Sequence, residues 1–210
     1  ARKRAESLQQ IPVSATVFTA DALENRSLYD LGDITAATPN LSYQDRVGGQ
    51  TAIGIRGISS NVRNIGIEDS VGVYVDGVYI GRPAFYDLDL AEVQQIEILR
   101  GPQGTLFGKN TIAGALNITT RPVPEEFETK LRLTAGNFGT THAKGFVGGM
   151  FNDSVGGSLS VIWKESDGYM NNLFNGETLQ SVDQQGVAAK LFFKNDESLK
   201  VTLGIDASEK

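Results

Sequence analysis

The sequence predicts an α+β unit followed by a run of antiparallel β-strands. Three observations predict it. Residues 71–119 place a hairpin signal, a short helix signal, a strand ending in arginine and a Gly-rich turn one after another with almost no linker. Arg121-Pro122-Val123-Pro124 then interrupts every regular pattern. From Glu128 onward, polar and apolar residues alternate in successive segments of roughly ten residues, a strand period rather than a helical one.

Residues 1–10 (ARKRAESLQQ) are polar and offer nothing to a core, so they read as a mobile arm. Ile11 to Phe18 reads as a strand with Pro12 near its start, where a missing N–H does least harm. Thr19 is placed to cap a short helix running through Glu24. Ser27 is placed to cap another, with Asp30 at its third position and Leu28, Leu31 and Ile34 on one face. Thr38-Pro39-Asn40 ends it.

Strand signals follow at Leu41–Gln44 and Thr51–Ile55. Val73–Val75 and Val78–Ile80 flank Asp76-Gly77, a pair suited to the primed turns of tight hairpins. Asp87 or Asp89 is placed to cap a helix running towards Gln94. Ile96 to Arg100 reads as a strand, Gly101-Pro102-Gln103-Gly104 as a turn, and Ala115 to Thr119 as the last strand of the unit.

Beyond the proline-rich link, five alternating segments follow. Leu131, Leu133 and Ala135 oppose Lys130, Arg132 and Thr134. Ala143, Val147 and Phe151 oppose His142 and Lys144. Leu159, Val161 and Trp163 oppose Ser158, Ser160 and Lys164. Val187, Ala189, Leu191 and Phe193 oppose Ala188, Lys190 and Lys194, with Phe192 on the polar side. Leu199, Val201, Leu203, Ile205 and Ala207 oppose Lys200, Thr202, Gly204, Asp206 and Ser208. Asn152–Ser154 and Asn195–Ser198 are short turns and 169–183 is a long loop, while Asn137–Gly139 is very short for a loop on the same side. Five strands cannot close a membrane barrel, which needs about eight or more. Alternation alone fits a soluble antiparallel sandwich equally well.

Composition narrows the function classes. At 210 residues the chain holds one or two domains. With 25 acidic against 19 basic residues the net charge is −6, which argues against a nucleic-acid partner. The absence of cysteine excludes disulfides, thiol catalysis and zinc-thiolate sites. No apolar run is long enough for a spanning helix, which leaves membrane strands of about 9–11 residues open. There is no signal peptide and the first residue is Ala, so the chain is expected to begin inside a longer protein or after processing.

The sequence GPQGTLFGKNT invites comparison with a phosphate-binding loop, and with it a nucleotide-using enzyme. The count fails: Gln103 stands where the first Gly is needed, and Lys109 is followed by Asn110 rather than Ser or Thr. His142 is the sole histidine and lies in a predicted strand, with no nucleophile–base pair around it. Asp87 and Asp89 read as helix caps rather than a catalytic pair. No enzyme, metal site or cofactor is expected.

Four motifs in fixed order carry a more specific signal. They are Ile55-Arg56-Gly57, Val73–Val78 (VYVDGV), Ile96–Gly108 (IEILRGPQGTLFG) and Gly114–Pro122 (GALNITTRP). Together they resemble the plug domain of TonB-dependent outer-membrane receptors. The resemblance implies an α+β plug over 11–124 after the arm at 1–10, followed by antiparallel strands of an incomplete transmembrane β-barrel over 125–210.

It also implies a location and a mode of action. The plug would sit in the lumen of a barrel in the bacterial outer membrane, facing the periplasm, with outer-membrane lipid around the wall. A small-molecule ligand, with ferric siderophores the leading class and vitamin B12 or carbohydrate as alternatives, would bind from outside. TonB, driven by ExbB–ExbD, would then capture a TonB box lying upstream of Ala1 by strand addition and open the plug. Arg56 and Arg100 match the two plug arginines that pair with barrel glutamates, a use that suits the planar guanidinium fork. The plainer alternative is two exposed strand-end residues. Arg46, Asn61, Arg63, Phe85 and Tyr86 match the family's substrate-contacting apices, although Phe85 and Tyr86 would serve equally to pack a helix. The rival to the whole reading is a soluble β-rich binding module.

Overall fold

The computed structural model describes residues 14–26, 28, 31–46, 50–59, 69–81, 93–195 and 199–209. They fall into two compact units that divide between Arg121 and Pro122.

The first unit opens with β1 (Ser14–Thr19), α1 (Ala20–Asn25) and α2 (Leu31–Ala36). Thr19 caps α1 by accepting a hydrogen bond from the Ala22 N–H at 3.3 Å. Leu28 precedes α2 rather than belonging to it, yet it is buried with Leu31 and Ile34. Next come β2 (Leu41–Arg46), β3 (Gln50–Ile55) and β4 (Ile58–Ser59), which form a three-stranded antiparallel sheet. The remainder is β5 (Val71–Val75), β6 (Val78–Tyr79), β7 (Val93–Arg100), α3 (Gly104–Phe107) and β8 (Gly114–Thr120).

The central sheet has the order β1-β7-β8-β5-β6; β5 runs parallel to β8 and the other pairs are antiparallel. Phe18, Ile96, Ile98, Leu116, Ile118, Val71 and Val73 join Leu23, Leu31, Ile34, Ile53 and Ile55 in one buried cluster. Those on paired strand positions, such as Ile96 and Ile98, Leu116 and Ile118, or Val71 and Val73, recur at every second residue, so each strand delivers its apolar side to the same layer. A smaller cluster gathers Tyr74, Leu99 and Ala115 with Ala15 and Phe107. Beside it, the buried Glu97 carboxylate accepts from Gln95 Nε2 at 3.2 Å and Asn117 Nδ2 at 2.9 Å.

Three local expectations change. The caps expected at Asp87 or Asp89 lie outside the described residues, but Val93 and Gln94 open β7 instead of ending a helix. Val93 is buried and pairs in register with Thr120, so sheet pairing claims it. Gly101–Gly104 is not a simple turn: the chain passes from Gly101 into the single helical turn α3, where the Phe107 N–H donates to the Gln103 carbonyl at 3.0 Å. The long loop after residue 169 carries a two-stranded hairpin of its own, described below.

The second unit contains β9 (Glu128–Ala135), β10 (Thr141–Met150), β11 (Val155–Ser166), β12 (Met170–Asn171), β13 (Thr178–Leu179), β14 (Val182–Asn195) and β15 (Leu199–Glu209). The long strands form an open antiparallel meander, β9-β10-β11-β14-β15, that does not close on itself. Register places Leu133 and Trp163 on either side of Ala143, and Thr134 and Lys164 on either side of His142.

The two faces invert the rule for a water-soluble sheet. The apolar row lies open, with Leu131 73% and Ile205 74% exposed, while the opposite row holds His142 at 5% and Ser160 at 3%. Phe146 and Ile162 are buried on that same side, beside the expected Phe192. A soluble sandwich hides its apolar side; this unit presents it.

Connections between wall strands are tightly specified. Asn152 Oδ1 accepts from the N–H groups of Ser154 and Val155, which closes the β10–β11 turn. The β9–β10 turn is as short as the sequence indicates, with Phe138 at φ 58° and Gly139 at φ 64°. The left-handed backbone at Gly139 favours glycine, and a Cβ there would push the Asp167 carboxylate aside. Met170–Asn171 and Thr178–Leu179 pair as the additional hairpin, which holds Leu173 and Phe174 fully exposed at its tip.

Candidate functional site: two arginines at one end of the plug core

The site is built on three strand ends. Ile55, the last residue of β3, is 1% exposed and anchors that sheet in the core. Its Cδ1 lies 2.7 Å from the position a Cβ on Gly114 would take. Gly114 itself pairs in register with Arg100 across β7–β8. The Leu99 carbonyl lies closer still to that position, so only a residue without a side chain fits at 114, and Ile55 packs against its bare backbone at the end of β7.

The chain then turns. Arg56 adopts φ 55° and Gly57 φ 77°, and the Arg56 N–H donates to the Asn40 carbonyl at 2.8 Å. This left-handed step directs the Arg56 side chain towards β7, where Nη1 lies 3.9 Å from a Cβ position on Gly101. Gly101 is itself at φ 98° and directly follows Arg100. Two Arg-Gly steps, distant in sequence, therefore meet at one end of the unit.

Arg100 is partly buried. Its Nη1 donates to Ser14 Oγ at 3.0 Å and its Nη2 donates to Thr16 Oγ1. The Nε is buried and has no hydrogen-bond partner among the described residues. Neither Arg56 nor Arg100 has a carboxylate partner among the described residues. A guanidinium with an unengaged N–H is suited to anionic groups, carboxylates above all, and Arg100 keeps its Nε free among the described residues.

Of the other candidates, Arg46 closes β2 opposite Gln50, and its side chain lies outside the described residues. Asn61, Arg63, Phe85 and Tyr86 also lie outside them. The Ser14 and Thr16 hydroxyls were not singled out by sequence reasoning. Their i, i+2 spacing on a strand, which puts both on one face, is the signal that was available.

Around α3, Tyr74 Oη donates to the Phe107 carbonyl at 2.5 Å, and its ring sits 4.9 Å from that of Phe107 and 5.5 Å from that of Tyr79. Asn110 Nδ2 donates to Tyr79 Oη at 2.9 Å. The segment that mimics a phosphate loop is thus pinned to β5 and β6 by aromatic and amide contacts.

A small α+β unit in which two Arg-Gly steps meet, followed by an open sheet whose apolar row is exposed, has the make-up of a plug and the first wall strands of an outer-membrane barrel. The family model for the TonB-dependent Receptor Plug Domain matches residues 7–115, and the chain belongs to that family. It is 26% identical over 182 residues to the vitamin B12 transporter BtuB of Vibrio vulnificus, covering 86% of this chain and 28% of that protein. It is 27% identical over 152 residues to the ferric-pyoverdine M114 receptor PbuA of a Pseudomonas species, covering 72% and 18%.

Among solved structures, the ferric yersiniabactin uptake receptor FyuA of Yersinia pestis superposes with a TM-score of 0.81 at 27% identity, over 93% of this chain and 31% of that one. The receptor in the FpvAI–pyocin S2 complex shares the fold at 19% identity, also with a TM-score of 0.81, over 96% and 25%. The chain thus spans less than a third of the length of these relatives. They are transporters and receptors rather than enzymes, and the five long strands are the wall of an incomplete outer-membrane barrel.

Proposed function

We propose that this chain is the plug and first wall strands of a substrate-gated, TonB-dependent active transporter that takes up iron–siderophore complexes. The observation that carries the reading is the convergence of Arg56 and Arg100 at one end of the plug core with no carboxylate among the described residues to engage them. In this reading, glutamates from later barrel strands complete the pairs. Charge-assisted bonds of this kind hold a plug firmly and still exchange for water when pulled. The boundaries follow: an arm at 1–10, a plug at 11–124 and the wall from 125.

TonB, energised by ExbB–ExbD, would engage a box upstream of Ala1, and the ligand would meet the apices at Arg46, Asn61, Arg63, Phe85 and Tyr86. The names of the pyoverdine and yersiniabactin receptors support an iron cargo. The match to a vitamin B12 transporter supports cobalamin as the second reading. The test is uptake by the full-length receptor in cells lacking their own siderophore and cobalamin receptors, with and without TonB. Accumulation of labelled iron from a ferric siderophore only when TonB is present is the expected result. TonB-dependent accumulation of cobalamin alone would transfer the assignment to the second reading, and uptake indifferent to TonB would overturn both.

A further inference from the structure

The two hydroxyls that receive the Arg100 guanidinium lie on the strand nearest the N-terminus, and that strand is weakly held. β1 is an edge strand, hydrogen-bonded to β7 alone among the described residues. Of its six residues only Phe18 is buried. Its register puts Ser14 opposite Arg100 and Thr16 opposite Ile98, so Ser14, Thr16 and Phe18 share one face. Across that face lies the Arg100 fork, with one nitrogen on Ser14 Oγ and the other on Thr16 Oγ1. The third donor, Nε, is buried and without a partner among the described residues. One planar cation therefore clasps the end of β1 and leaves its Nε unengaged among the described residues.

We propose that Arg100 is a positioning residue for the N-terminal strand: its guanidinium latches β1 through Ser14 and Thr16, so that freeing the arginine from its wall partner and detaching β1 from β7 are one coupled event. This rests on the receptor reading for the direction of pull, which arrives from upstream of Ser14. The physical reason for coupling is geometric. A guanidinium is rigid and planar, so a carboxylate on its Nε edge fixes the orientation of the two nitrogens that hold the hydroxyls. Loss of that carboxylate leaves the fork free to swing, and an edge strand with one buried side chain opens before the rest of the sheet.

The test is hydrogen exchange in the full-length receptor, without TonB or ligand, so its outcome does not depend on which cargo is carried or on whether transport occurs. In the double variant Ser14→Ala, Thr16→Val, exchange across residues 14–19 rises about tenfold, the loss of two charge-assisted bonds, while residues 114–120 are unchanged. Thr16→Ser, which keeps a hydroxyl, retains most of the protection. Arg100→Lys, which keeps the charge and loses the fork, reproduces the double variant. Unchanged exchange at 14–19 in the double variant, an equal rise at 114–120, or an Arg100→Lys receptor whose permeability rises with β1 still protected would each overturn the latch.

Discussion

Asp76 and Thr120 are joined by two hydrogen bonds: the Thr120 N–H donates to Asp76 Oδ1 at 2.8 Å, and the Thr120 hydroxyl donates to Oδ2. Asp76 sits at φ 49° in the hairpin turn between β5 and β6, and its own N–H donates to the Ile118 carbonyl at 2.9 Å. The turn that makes this hairpin tight is therefore also fastened to the end of β8, where the plug core hands over to the proline-rich link. Asp76→Ala removes both carboxylate bonds and places a less tolerant residue in the left-handed region, at a cost of about 1–3 kcal/mol of local stability. Asp76→Asn, which tolerates that backbone and keeps one acceptor, costs less. Hydrogen exchange across 71–79 and 114–120 reads the difference; equal protection in all three proteins would show that the clamp contributes nothing.

The arginine pair makes a prediction about leakage. In the full-length receptor, Arg100→Ala and Arg56→Ala each loosen the plug, read as raised passive entry of a large antibiotic that the intact barrel excludes. Unchanged permeability in both variants would show that neither arginine locks the plug. A Lys replacement preserves charge but not the fork, so it recovers only part of the barrier.

Tyr74 gives a pH dependence. Burial raises its pKa above the usual 10.0, and the neighbouring Tyr79 pushes it in the same direction. Its hydroxyl donates to Phe107, which the ionised form cannot do. The folded state thus binds this proton more tightly than the unfolded chain, so the contribution to stability is complete below the unfolded value and is lost as pH rises through the higher folded one. Alkaline absorbance titration is expected to show one tyrosine ionising later than the rest, and Tyr74→Phe to remove that phase. A profile identical in the Phe variant would refute the assignment.

The wall predicts an asymmetry between its faces. Val161 lies mid-strand on the exposed apolar row of β11, and Thr134 lies on the opposite row of β9. A lysine at 161 in the membrane-inserted receptor costs about 2–4 kcal/mol, as lipid-facing charges near the midplane do, whereas a lysine at 134 is tolerated. Comparison of the two unfolding midpoints in lipid vesicles checks this. Equal destabilisation would mean that the faces are not solvated differently.

Much of this is legible in the sequence. The Asp76-Gly77 hairpin, the Thr19 cap and the alternation of β9, β10, β11, β14 and β15 follow from local chemistry, because turn geometry and side-chain period are properties of short segments. The order of Ile55-Arg56-Gly57 and Ile96–Gly108 was specific enough to point to a plug. Less legible was anything that depends on what lies across the sheet. Val93 and Gln94 read as the end of a helix, yet pairing with β8 takes them into a strand. The hairpin inside the loop after residue 169 gave no alternating signal, since β12 and β13 are two residues each.

By itself, then, the amino-acid sequence determined the local vocabulary: which segments turn, which alternate, where glycine is needed and which arginines stand before it. Alternation left the solvent of each face undecided, because lipid and a protein core both accept the same apolar row. Tertiary structure decided that the apolar side of the second unit lies open. It also decided that Gly114 admits Ile55, and so brings Arg56 beside the backbone that follows Arg100, and that Arg100 reaches back to Ser14 and Thr16. The physical reason is that these contacts join residues far apart in the chain, and such contacts exist only once register across three strands has been set.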